Sequence, residues 1–130
     1  EADPGHATAY QSLGTLRLKE RDDLDGAEAA FRTAFKLDPG SRQIQVNLGS
    51  ALFQRAYDIY ISSRNDAKLA EAVALCEESV PFLRFGLGAD HEATKVASSE
   101  LARMRAELAR SSSGDGRGPG RKDVKRRGKK

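Results

Sequence analysis

Asp3-Pro4-Gly5 recurs as Asp38-Pro39-Gly40, with the two prolines 35 residues apart. A period between about 20 and 50 residues marks a stacked-repeat architecture, which outweighs any single helix assignment. Working outward from these turns, Leu13-Gly14 recurs as Leu48-Gly49 at the same spacing of 35. Pro39 cannot continue a helix and Gly40 permits the turn that follows. Gly14 has no Cβ, so a facing helix can approach it closely. Ala27 and Ala34 supply small residues on that facing helix, while Tyr10, Leu13, Phe31 and Phe35 fill the space on either side. The second helix is expected to start at Leu24 or Asp25, where an acidic side chain suits the positive end of the helix dipole.

A second unit follows the second turn. Ala72 and Cys76 repeat the spacing of Ala27 and Phe31, with Cys76 as a smaller core residue. Gly49 to Ala72 spans 23 steps, against 13 from Gly14 to Ala27. The added residues, roughly Tyr57 to Asp66, include Tyr57, Ile59, Tyr60 and Ile61 and hold no Gly or Pro. They predict a lengthened helix, about 15 Å longer at 1.5 Å per residue. Tyr57, Tyr60 and Ile61 are expected to pack on Leu69 and Val73 of the next helix; the alternative is an exposed interaction patch. A break is expected after Pro81, which also accounts for Gly86-Leu87-Gly88.

A third segment opens at Asp90. Ala97, Leu101, Met104 and Leu108 recur at spacings of four, three and four, one face of a helix. Lys95, Glu100, Arg103 and Glu107 are placed opposite. One apolar stripe with a polar outer face is the pattern of a terminal capping helix.

Tyr10-Gln11-Ser12-Leu13-Gly14, followed by Ala27, Phe31, Ala34 and Pro39, resembles the tetratricopeptide repeat (TPR). That signature runs aromatic-x2-Leu-Gly, then Ala-x3-Phe, then Pro. Tyr10 stands where the family usually has Trp, and Arg17 where it prefers Tyr. The resemblance implies an all-α fold: an antiparallel helix-pair (TPR-like) solenoid with a C-terminal capping helix and a basic tail. Residues 1–5 read as the end of a preceding repeat and 6–40 as one unit. Residues 41–89 read as a second unit with lengthened helices, 90–110 as the capping helix, and 111–130 as a flexible basic tail. Helices are expected near 6–20, 25–37, 41–63, 67–80 and 91–110.

Charge divides the chain. Residues 1–110 hold 14 Lys/Arg against 17 Asp/Glu, whereas 111–130 hold 8 Lys/Arg against 2 Asp. The overall formal charge of +3 therefore describes neither part. Residues 111–120 have a Ser/Gly linker composition that cannot bury apolar area. Arg121, Lys122, Lys125, Arg126, Arg127, Lys129 and Lys130 then form a basic cluster suited to phosphates, an acidic protein surface or an import receptor. No aromatic residue interleaves it, so any nucleic-acid contact would be electrostatic. No apolar run approaches the roughly 20 residues that cross a membrane.

The resemblance also implies a peptide groove. By motif alignment Thr8, Gln11, Ser12 and Thr15 would line it in the first unit, and Gln43, Asn47 and Ser50 in the second. Asn47 matches an Asn with which TPR co-chaperones grip a peptide main chain or terminal carboxylate. The basic residues of a full carboxylate clamp are replaced here by Thr, Gln and Ser, so an acidic chaperone tail is not the expected ligand. The alternative is a plain solvated face. His6 and His91 lie at equivalent points of the repeat, near helix starts, and are not expected to converge. The chain shows no phosphate loop, nucleophile elbow or Cys/His metal spacing, and neither an enzyme nor a cofactor is expected. The expected function is a scaffold that binds an extended or helical protein segment. The alternatives are a subunit of a ribonucleoprotein or other assembly whose tail meets nucleic acid, and a regulatory segment of a larger enzyme or co-chaperone.

Overall fold

Five α-helices make up the computed structural model, which describes residues 4–20, 23–62 and 65–113. They are α1 (Pro4–Glu20), α2 (Leu24–Leu37), α3 (Arg42–Ser62), α4 (Asp66–Leu87) and α5 (Glu92–Ser113). Among the described residues there is no strand.

Polar side chains cap four of the starts; at α3 the Ser41 hydroxyl accepts the Ile44 N–H at 3.3 Å. The Asp23 carboxylate accepts the Gly26 N–H at 2.9 Å, and the Asn65 side-chain oxygen accepts the Lys68 N–H at 2.8 Å. His91 Nδ1 accepts the Ala93 N–H at 3.1 Å, which makes this histidine part of the entry to α5. Each satisfies a donor that the first helical turn leaves open. α1 starts at Pro4, earlier than expected near residue 6, because proline suits the first helical position. Pro4 and Gly5 thus lie inside a helix, while Pro39 and Gly40 form the turn between α2 and α3.

Each helix packs on the next in sequence, and α1 also meets α3. The first pair runs antiparallel, with Gly14 against Phe31 and Ala7 clustered with Ala34 and Ile44. A Cβ on Gly14 would stand 2.6 Å from the Phe31 ring, so only glycine admits this approach. Phe31 is fully buried, a stabilisation of about 1.5–3 kcal/mol for an apolar side chain of this class. Tyr10 and Leu13, expected inside, are instead at the surface. α3 packs on the side of this pair that carries Ala34 and Phe35, and no described helix covers the other.

The second pair differs from expectation in register. Gly49 faces Phe82 and Leu83, at 3.0–3.2 Å from a Cβ built on it, not Cys76. In an antiparallel hairpin, partners lie about equally far from the turn. Lengthening α3 therefore moves the partner of Gly49 further along α4. The same geometry overturns the break at Pro81. α4 continues through Pro81 to Leu87, since its last turns must reach back along α3. Pro81 and Glu77 are exposed, so the carbonyl that loses its helical donor can meet water, while buried Val80 and Leu83 hold the segment in place. Ser79 Oγ donates to the Gly49 carbonyl at 2.6 Å. Gly86 lies against Val46, a second close approach. The helix ends at Gly88, whose φ of +98° favours glycine.

Cys76 is buried against α5, its thiol donating to the Ala97 carbonyl at 3.5 Å. Burial pushes its pKa up to about 11, which suits a core thiol and not a nucleophile. An ionic cluster joins α2, α3 and α4. Glu28, with only 12 % of its side chain exposed, receives Arg32 at 2.7 Å and Arg55 at 2.9 Å. Arg32 also donates to both Glu78 oxygens, at 2.6 and 2.9 Å. That hydrogen bonding holds the Glu78 carboxyl below its usual range and raises the Arg32 guanidinium above its own.

Candidate functional site

Two depressions in the surface left open by this packing bear on the expected groove residues.

The first is a shallow depression on α1, lined by Thr8, Gln11, Ser12, Thr15, Leu16 and Lys19, with a volume of about 400 Å³. All four residues expected to line a groove in the first unit are in it. They recur at spacings of three, one and three, which places them on one helix face. Thr15 Oγ1 donates to the Gln11 carbonyl at 3.0 Å. On α3, exposed Gln43 donates to Asn47 Oδ1 at 3.3 Å. Asn47 thus has a local partner within its own helix. The seven residues therefore do not form one pocket: four share the α1 depression, Gln43 and Asn47 pair with each other, and Ser50 belongs to the second site.

That second site is a groove between α3 and α5, with a volume of about 640 Å³. Ser50, Phe53, Gln54, Tyr57, Asp58 and Ile61 come from α3, Ala93 and Val96 from α5, and Leu83 of α4 forms the buried floor. The apolar wall of α3 follows from sequence spacing: Phe53, Tyr57 and Ile61 recur every four residues and form one stripe. Phe53 and Tyr57 stack with ring centroids 6.0 Å apart. Tyr57 is 39 % exposed, Ile61 56 % and Val96 40 %.

The expectation that Tyr57, Tyr60 and Ile61 pack together on α4 holds for Tyr60 alone. Tyr60 is buried, and its hydroxyl donates to Glu107 of α5 at 2.9 Å. The reason is angular. At 100° per residue Tyr60 is turned about 60° from Tyr57 and about 100° from Ile61. Glu100 and Glu107 also depart from the expected outer face of α5. Glu107 meets Tyr60, and the Glu100 side chain is only 18 % exposed. Phe53, Ala93 and Val96 went unnoticed in the sequence. The spacing of Phe53 from Tyr57 and Ile61 was a usable signal. Val96 had none, because it lies off the apolar stripe of Ala97, Leu101, Met104 and Leu108.

Among the described residues no group of His, Cys, Asp and Glu is arranged to hold a metal ion, and no helix is long and apolar enough to cross a membrane. The basic cluster of Arg121, Lys122, Lys125, Arg126, Arg127, Lys129 and Lys130 lies outside the described residues. Comparisons of the chain with protein-family models, curated proteins and solved structures found no match.

Proposed function

We propose that the chain is a non-enzymatic protein-interaction module. In this reading its helix pairs form a TPR-like solenoid capped by α5, and a segment of another protein lies on the concave face shared by α1, α3 and α5. The α3/α5 groove carries the reading. It leaves Tyr57, Ile61 and Val96 in contact with solvent, while the buried core of α3, α4 and α5 is satisfied without them. Clustered apolar surface of this kind is used for binding. The close approaches at Gly14 and Gly49 and the sequential packing of helices support the repeat reading.

The test is selection of peptides by the full chain from a random display library. Enriched peptides are expected to lose about tenfold or more in affinity to a Val96→Arg variant whose thermal unfolding is unchanged, a loss of about 1.4 kcal/mol. Enrichment of nothing, or of peptides indifferent to Val96→Arg, would overturn the proposal.

The segregation of positive charge into the last 20 residues favours a second reading, a subunit of a ribonucleoprotein or other assembly whose tail contacts nucleic acid. Binding to a homopolymeric RNA would then weaken steeply with salt. Neutralising Lys125, Arg126, Arg127, Lys129 and Lys130 would flatten that slope. Salt-independent binding, or an unchanged slope, would rule the reading out.

A further inference from the structure

The acidic groups around the α3/α5 groove narrow what can occupy it. Among the described residues Asp58 is the sole charged residue lining it. Its side chain is exposed and joins none of the ion pairs found among the described residues. It stands one turn before the C-terminal end of α3, where the helix dipole opposes a negative charge. Ala93, Val96, Glu100 and Glu107 recur three, four and seven residues apart, along one stripe of α5. The Tyr60 hydroxyl bond to Glu107 identifies this stripe as the side toward α3. On it, Glu100 Oε1 is buried with no hydrogen-bond partner, and Arg103 Nε stands 4.0 Å away. An apolar groove thus carries on its α3 wall one carboxylate, Asp58, without an ion-pair partner among the described residues, and a further buried carboxylate, Glu100, lies next to its α5 wall in sequence position.

We propose that the groove binds a protein segment that presents large apolar side chains flanked by lysine or arginine, with the basic group paired to Asp58. The proposal rests on the interaction-module reading above and specifies its partner. Apolar side chains fill the space over Leu83 between Tyr57, Ile61 and Val96. The flanking cation supplies the charge that Asp58 lacks. Acidic segments are rejected, because an incoming carboxylate would meet like charge beside a desolvated surface. The chain's own C-terminal residues do not fit. Residues 114–130 include only Val124 and Pro119 as apolar side chains, too few to fill the groove.

The test repeats the display selection with the full chain and with Asp58→Lys. The expected result is enrichment of Lys or Arg beside Leu, Ile or Phe on the native chain, and of Asp or Glu on the variant. Fluorescence anisotropy on the enriched peptides should show Asp58→Lys weakening the basic ones about three- to tenfold. Lysine near a helix C-terminus is favoured by the dipole, so the variant keeps its thermal stability. Peptides that lose binding to Val96→Arg but show no charge preference, and none altered by Asp58→Lys, would overturn this inference and leave the interaction module standing. Absence of any enrichment would overturn both. A concentration-dependent dimer in sedimentation, dispersed by Val96→Arg, would show that a second copy covers the groove and would also overturn the inference.

Discussion

In the first helix pair Gly14 of α1 meets Phe31, midway along a short α2. In the second, Gly49 of α3 meets Phe82 and Leu83, near the far end of a long α4. Both pairs start from the same Leu-Gly, and both use it to bring two helices together. They differ in what length does to the rest. α1 and α2 have 17 and 14 residues, α3 and α4 have 21 and 22. The short pair buries one large ring at its centre. The long pair spreads its contacts over Leu48, Leu52, Ala56, Tyr60, Leu69, Cys76 and Leu83 and still has length left for α5. Its added turns carry Tyr57, Asp58 and Ile61 into the groove. A repeat motif thus sets where two helices touch, while helix length sets which surface remains available.

The largest effect should separate Phe31 from Cys76, which occupy matching places in the repeat pattern. Phe31→Ala is expected to cost about 3–5 kcal/mol, and Cys76→Ala on the order of 1 kcal/mol, from midpoints of denaturant unfolding. Equal losses would mean that the Phe31 ring is not the packed centre of the first pair that its burial makes it.

The glycines sharpen the same contrast. Gly14→Ala places a Cβ 2.6 Å from a ring that is fully buried. Overpacking of about 1–3 kcal/mol should exceed the gain of about 1 kcal/mol that alanine brings to a helix interior. At Gly49 the clash is milder, 3.0–3.2 Å, and the two effects should nearly cancel. Thermal melts of both variants, ranked Gly14→Ala below Gly49→Ala, check this. The reverse ranking would break the comparison.

A smaller effect concerns the tie between the pairs. Glu78 has a lowered pKa, chiefly because Arg32 hydrogen-bonds its charged form. The stabilisation it lends is complete above the unfolded glutamate pKa of about 4.3. It is lost as pH falls through the lower, folded value. Both side chains are about two-fifths exposed, so screening keeps the effect under about 1 kcal/mol. Glu78→Gln should therefore melt slightly below the native chain at neutral pH, with the gap closing in acid. A gap that persists at the lowest pH would assign the loss to packing.

The last test leaves stability untouched. With its pKa near 11, about one Cys76 thiol in a thousand is ionised at pH 8. The helix α5 also covers it. Alkylation in native buffer should be far slower than in denaturant. Rapid native alkylation would mean that α5 does not cover Cys76.

Much of this was legible from residues alone. The helices, the close approach at Gly14, the lengthened third helix and the burial of Cys76 follow from periodicity and from side-chain size. These properties act locally or repeat along one helix. The partner of Gly49 did not follow, because pairing across a hairpin depends on the length of both arms. Pro81 misled for a related reason: a proline ends a helix by its local cost, and here burial of Val80 and Leu83 on the same helix outweighs that cost. The groove was half visible. Phe53, Tyr57 and Ile61 could be placed on one stripe, but their exposure depends on where α5 docks.

By itself the sequence determined an all-helical chain, the approximate span of each helix, and a division between a near-neutral body and a basic end. Those features rest on propensity, periodicity and charge count, none of which requires a partner. Only the tertiary structure decided that Glu107 turns inward to Tyr60 while Tyr57 and Ile61 stay outside. It also decided that Ser50 shares a groove with Val96, 46 positions away in the chain. The reason is that burial is a property of neighbours. Two residues 60° apart on one helix meet different surroundings once a third helix packs against it.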